Sequence, residues 1–261
     1  MFLLLSIACK EPAQAPQEYE ELIGYIFEHT DAETDEELVA GLTNLQDWLN
    51  QNDLTELEEG SSIACLPKTA IENLEGEHNY CTVGEDETED MKGVTMLTQS
   101  QYSETVLMEA LTQYSFAEIM PDTYLTYDRQ FDQGQECISD HSCLFASATA
   151  YTIADWGILG EVEAQRIIEF RWVQLENEEW VFLQRWWLTE PSNGSKLDLV
   201  IDNQYYIGIN YPQTSGTQRL HASWIRMESS LGDGSESAAQ QLIRNWQKDA
   251  EELDLWISEN L

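Results

Sequence analysis

The chain has 261 residues, 42% of them hydrophobic and 10% aromatic, and it sets 12 Lys+Arg against 49 Asp+Glu for a net charge of −37. Length and apolar content suffice for one large domain or two modest ones and exclude wholesale disorder. The charge excludes nucleic acid as a partner, since phosphate binding needs a basic footprint, and excludes docking on an anionic membrane by charge alone.

Residues 2–7 form an apolar run, too short for a bilayer crossing, which takes about 20 apolar residues. The run leads into Ser6-Ile7-Ala8-Cys9. This tetrad resembles the lipobox of bacterial lipoproteins, where a small residue precedes the cysteine that receives a diacylglyceryl group. Ser6 stands at the usual leucine, and no Lys or Arg precedes the run. The resemblance implies that residues 1–8 end a signal peptide, with a start placed too far downstream. Cys9 then becomes the lipidated first residue, and residues 10–18, with two prolines and no core-forming periodicity, form a tether. Two acyl chains would anchor the chain durably in a bacterial cell envelope. Lys10 rather than aspartate after the cysteine implies the outer membrane or cell surface under the family's sorting rule. The same residues also admit a frayed apolar terminus with a buried cysteine.

Residues 19–261 read as a single α+β domain, mainly helical or irregular to residue 114. Tyr19, Leu22, Ile23, Ile26 and Phe27 share one helical face. Thr34 and Glu37 offer a capping box to a second helix, whose face is Leu38, Val39, Leu42, Leu45, Trp48 and Leu49. These two predict an antiparallel pair that needs support beneath it. A helical turn is expected near Lys68, after Pro67, and an acidic loop over 76–90. Glu85, Asp86, Glu87, Glu89 and Asp90 in that loop are either solvated surface or a Ca²⁺ cluster, though without EF-hand order. A strand over 93–98 and a helix over 103–112 follow.

Cys65, Cys81, Cys137 and Cys143 remain once Cys9 is set aside. An even number in an exported chain predicts disulfides, of which four cysteines allow three pairings. Local pairing, Cys65 with Cys81 and Cys137 with Cys143, brackets one turn-rich segment each. Zinc is the alternative, but neither spacing has the close pairs that zinc frameworks use.

Residues 115–261 read as strands over 124–131, 144–153, 165–175, 179–190, 197–211 and 218–227, then a helix over 237–260. The strand over 144–153 is rich in small residues, which lets a neighbouring element or a ligand approach closely. Over 197–211 every odd position but Asn203 is apolar, a period of two that predicts a long half-buried strand. The predicted fold class is α+β: N-terminal helices, then a curved antiparallel β-sheet packed on a long C-terminal helix. That element order resembles the START/SRPBCC helix-grip architecture, whose members often hold hydrophobic ligands between sheet and helix. No residue motif accompanies it, so no functional residue is carried over.

No hydrolase, zincin, P-loop or Rossmann pattern occurs, so no catalytic residue, cofactor or metal site is assigned. Six of the seven arginines fall in the sheet region, at Arg129, Arg166, Arg171, Arg185, Arg219 and Arg226. Arg171, Arg219 and His221, with Glu169, are expected to share the less apolar face. There they either receive an anionic head group or pair with carboxylates across strands. Trp186 and Trp187 are adjacent and must point to opposite faces, one into core and the other into a pocket or solvent. Candidate ligand-binding residues are therefore Trp186, Trp187, Arg171, Arg219 and His221. Two functional classes follow: a non-enzymatic module binding an apolar or amphipathic small ligand, or a structural, partner-binding envelope lipoprotein with a closed core. An enzyme ranks third.

Overall fold

The computed structural model describes residues 14–31, 35–82, 90–113, 115–139, 141–230 and 232–261. Cys9, Thr34 and residues 85–87 and 89 lie outside them. The architecture is α+β, as the element order implies. Helices α1 (Tyr19–His29), α2 (Glu36–Gln51) and α3 (Thr55–Glu59) come first, then strands β1 (Ser61–Ile63) and β2 (Lys92–Ser100) and helix α4 (Glu104–Leu111). Next are β3 (Tyr124–Gln133), α5 (Gln135–Ile138), β4 (Phe145–Asp155), β5 (Glu161–Gln174), β6 (Trp180–Leu188) and β7 (Ser192–Gly194). The chain closes with β8 (Val200–Gln213), β9 (Gly216–Ser229), β10 (Gly232–Asp233) and α6 (Ser235–Asn260).

All strand pairs among the described residues are antiparallel, in the order β1-β2-β9-β8-β6-β5-β4-β3, with β10 on β9 and β7 bridging β5 and β8. The sheet is covered on both faces. On the inner face α6 lays Ala239, Leu242, Ile243 and Trp246 against Met96, Leu188, Tyr206, Ile225 and Met227. Its later turns, with Leu253 and Ile257, join α4 over Phe170, Trp172 and Phe182. On the outer face α1 and α2 place Phe27, Leu38, Leu42 and Leu45 over Leu183, Ile207, Ile209, Leu220 and Trp224. The helix pair thus finds its support on the back of the sheet. Ala15 and Pro16, within the expected tether, dock on α2, their carbonyls accepting from Asn44 Nδ2 at 3.3 and 2.8 Å.

The strand over 197–211 departs from expectation in a specific way. It is not half-buried, because both faces carry helices, and nearly every residue of β8 after Asp202 is buried. It also starts later: Leu197 and Asp198 have positive φ (61° and 48°) and belong to a turn. Pairing then slips between Ile201 opposite Met227 and Asn203 opposite Arg226, two residues facing one. Such a bulge inverts side-chain parity. Leu199 and Ile201 therefore face α6, whereas Tyr205, Ile207, Ile209 and Tyr211 face α1 and α2. Asn203, the lone polar odd position, sits at the switch with its amide satisfied by Glu77 O (3.1 Å) and Asn79 N (2.9 Å).

Disulfides join Cys65 to Cys81 and Cys137 to Cys143. Asp90, the described member of the acidic cluster, accepts from Thr82 and pairs with Arg226 at 3.0 Å. Among the described residues no trio of His, Cys, Asp or Glu is placed to hold a metal ion, and no helix is long and apolar enough to cross a membrane.

Candidate functional site

The inner face does not close completely on α6. A cavity of about 80 Å³ remains, walled by Phe116, Tyr127, Trp186 and Trp246 and edged by Arg166, Gln184, Tyr206, Arg219, His221 and Asp249. Strand parity builds this wall. Phe182, Gln184, Trp186 and Leu188 are alternate residues of β6, and three of these four are apolar. Gln184 is the polar intruder. Small residues on β4 make room: Ala150 lies between Arg129 and Arg166 across the strands, so both long side chains fit on the inner face.

A hydrogen-bonded row crosses the cavity floor. Tyr206 Oη meets His221 Nδ1 at 2.8 Å, and His221 Nε2 meets Thr98 Oγ1 at 3.0 Å. Gly208 permits this, since a Cβ there would stand 2.7 Å from the Tyr206 hydroxyl. The imidazole lies against the Trp246 ring, with centroids 5.5 Å apart. Burial, reinforced by the Arg219 cation, holds His221 well below its ordinary pKa, so it is a neutral hydrogen-bond relay. Burial likewise raises the Tyr206 phenol, which stays protonated.

The charges around the cavity are unevenly satisfied. Arg219 is 4% exposed, and its one hydrogen bond among the described residues runs from Nε to Asn210 Oδ1 at 3.1 Å. Arg166 lies over the Trp186 ring at 4.4 Å and reaches Tyr124 Oη at 3.4 Å, leaving its buried Nε unpartnered. Gln184 is 8% exposed and makes no hydrogen bond among the described residues. Leaving the buried Arg166 Nε so costs about 1–3 kcal/mol. Arg129, ringed by Phe116, Tyr127, Phe131 and Phe170, donates to Leu111 O, Gln113 O and Tyr127 Oη, though its buried Nε, like that of Arg166, has no partner. It ties the end of α4 to the sheet.

Asp249 faces the cavity from α6. It keeps some solvent contact at the rim, yet burial pushes its carboxyl up to about 6, partly opposed by the hydrogen bond that Thr123 Oγ1 donates at 2.9 Å. The folded pKa lies above the ordinary 3.8, so its favourable contribution is complete below pH 3.8 and disappears as pH rises through about 6. The substitution Asp249→Asn is therefore expected to stabilise the fold by about 1–2 kcal/mol at pH 7.5, after allowance for its solvent contact, and to leave stability at pH 3.5 little changed. Urea denaturation at both pH values measures this.

The candidate residues divide between the two faces. Trp186, Arg219 and His221 meet at the cavity. Trp187 and Arg171 lie on the outer face: Trp187 Nε1 donates to Glu75 O at 2.9 Å, and Arg171 holds Thr30 O and Asp35. Glu169 is on that outer face too, bonded to Arg185 at 2.5 Å. The four residues expected on one face therefore sit on two, because strands five and nine carry opposite parity there. Sequence pattern alone does not single out Gln184, Tyr206 or Asp249. Asp249 had a visible signal, a carboxylate three residues after Trp246 and four before Leu253 on the apolar stripe.

A wider, open depression of about 1110 Å³ lies on the outer face, beside Ser147, Thr149, Gln165, Glu169 and Trp187. Of its polar groups Glu169 is bonded to Arg185. The ring-walled cavity is the smaller one, and Arg166 borders both.

No family model matches the chain, and no curated protein does. Among solved structures it is similar to a STAR-related lipid transfer protein fragment from Xanthomonas axonopodis, at 13% identity and TM-score 0.41, covering 68% of this chain and 98% of that one. It is similar to human STARD10 at 8% identity and TM-score 0.43, covering 84% and 82%. It is also similar to the Zhui aromatase/cyclase from Streptomyces sp. R1128 at 12% identity and TM-score 0.40, covering 65% and 93%.

Proposed function

We propose that this chain is a non-enzymatic binding module, anchored through Cys9 in a bacterial cell envelope, that holds a small amphipathic ligand between its sheet and α6. One observation carries the binding part: Arg219 and Gln184 are almost wholly buried, face a ring-walled cavity, and lack protein partners for most of their polar atoms. A fold keeps such groups where something else completes them. At about 80 Å³ the cavity is below the 300–1,000 Å³ typical of drug-sized ligands, so the occupant is short or presents only one end. The same small volume favours the second reading, a closed-core envelope lipoprotein that meets partners through its acidic surface.

Native mass spectrometry of the chain purified from its own cells separates the two. The binding module should carry an adduct lost on denaturation, and short amphiphiles should raise its melting temperature. A bare mass and no stabilisation by any amphiphile would favour the closed core. The anchor rests on the tetrad ending at Cys9, and palmitate labelling that disappears in Cys9→Ala tests it.

A further inference from the structure

We infer that the ligand's polar end is an anion, a carboxylate or sulfonate on a short apolar body, seated on Arg219 and strengthened when Asp249 takes up a proton. This rests on the binding-module reading above and names the chemistry that the site selects.

The argument starts from charge. The chain as a whole carries −37, yet its cavity gathers two arginines against one carboxylate at the rim. Four arginines are buried, and Arg185 has ion-pair partners in Glu169 and Asp31. Arg129, Arg166 and Arg219 have no carboxylate within 4 Å among the described residues. Arg129 has its two terminal nitrogens engaged by carbonyls and a phenol, with only its buried Nε unpartnered. Arg219 keeps four N–H donors uncommitted after Nε is spent on Asn210. A buried guanidinium without a counter-ion is costly, and a planar or trigonal anion matches its fork. The rings of Trp186, Trp246 and Phe116 suit a short apolar body beside that charge.

Asp249 is the natural competitor. It acts on the Arg219 charge from across the cavity without forming an ion pair with it. The groups facing it are Arg219 from β9, Tyr206 from β8, Arg166 from β5, Tyr124 from the edge strand β3, and Thr123, its hydrogen-bond donor. Lys248 and Glu252 lie beside it on α6, with Lys248 engaged by Asp122. Asp254, the other α6 carboxylate near Arg219, is held by Ser100 Oγ and Gln101 N. His221 stays neutral and adds no charge. Burial places the charge change of Asp249 near pH 6, so an incoming anion meets a like charge above it and a carboxylic acid donor below it.

Calorimetric titration with butanesulfonate, charged at every pH used, and with uncharged butyramide tests the inference. The sulfonate is expected to bind roughly tenfold more tightly at pH 5.0 than at pH 7.5, and butyramide more weakly and without pH dependence. Asp249→Asn, which should fold at least as well as the parent, is expected to bind the sulfonate equally at both pH values. Arg219→Gln is expected to lose the preference for the anion. Butyramide binding as tightly as the sulfonate, or pH dependence surviving in Asp249→Asn, overturns the anion assignment and leaves the binding module standing. If neither compound binds at either pH, both readings fall.

Discussion

Replacing Trp224 with alanine is expected to cost about 3–5 kcal/mol, the range for a buried aromatic truncated in a core that cannot collapse around the void. Trp224 is fully buried on the outer face of β9. Its indole Nε1 donates to Ala64 O at 2.8 Å, and its ring meets Phe27 of α1 edge-on with centroids 5.6 Å apart. Gly93 on the adjoining strand leaves the space, for a Cβ there would come within 2.8 Å of the indole. Truncation opens a void between sheet and helix pair and orphans the Ala64 carbonyl. Trp224→Phe, which keeps most of the ring volume, should lose less. Urea unfolding followed by circular dichroism gives both values. A loss below about 1 kcal/mol for the alanine variant would mean that α1 and α2 are not integral to the domain.

The second large effect concerns Cys65 and Cys81. Their bridge closes a loop with a sequence separation of 16, for which chain entropy gives about 3 kcal/mol. The loop covers the outer face. Leu66, Ala70 and Ile71 enter the core there, Glu75 O accepts from Trp187, and His78 reaches Tyr205 Oη at 3.2 Å. Replacing both cysteines by alanine should cost about 2–4 kcal/mol and free the Trp187 side of the sheet first. The bridge between Cys137 and Cys143, with a separation of 6, should matter less, about 2 kcal/mol on the same entropy argument. Denaturation with and without reductant checks the order. Four free thiols in chain taken from its own cells would contradict the oxidising location inferred from the Cys9 tetrad.

Much of this fold is legible from periodicity. The faces Leu22–Ile26–Phe27 and Leu38–Leu42–Leu45 pack as their spacing implies, and the strands around β4, β5, β6 and β9 fall within a few residues of their expected bounds. Three features are not legible. Alternation cannot reveal what covers the polar row: Gln204 and Asn210 look solvent-facing but are buried under α6 and its neighbours. A bulge also preserves an odd-numbered apolar pattern while swapping its face, and Asn203 is its one trace. The relative parity of separate strands is equally hidden, and it decides which residues meet at the site. Arg171 is expected beside Arg219 and His221 but lies on the other side of the sheet, whereas Trp186 and Trp187 take opposite faces as their adjacency requires, and Asp249 needs only a polar residue to be noticed on a helix's apolar stripe.

The tryptophans themselves provide the most direct test of the central claim. Trp186 and Trp246 line the cavity, while Trp187 and Trp224 stand on the opposite face with their indole N–H groups bonded to carbonyls. In nitrogen-15 spectra at pH 5.0, added butanesulfonate should shift the indole signals of Trp186 and Trp246 in a saturable way and leave those of Trp187 and Trp224 in place. Saturable shifts confined to Trp187 and Trp224, or none at any indole, would contradict a binding site between the sheet and its C-terminal helix.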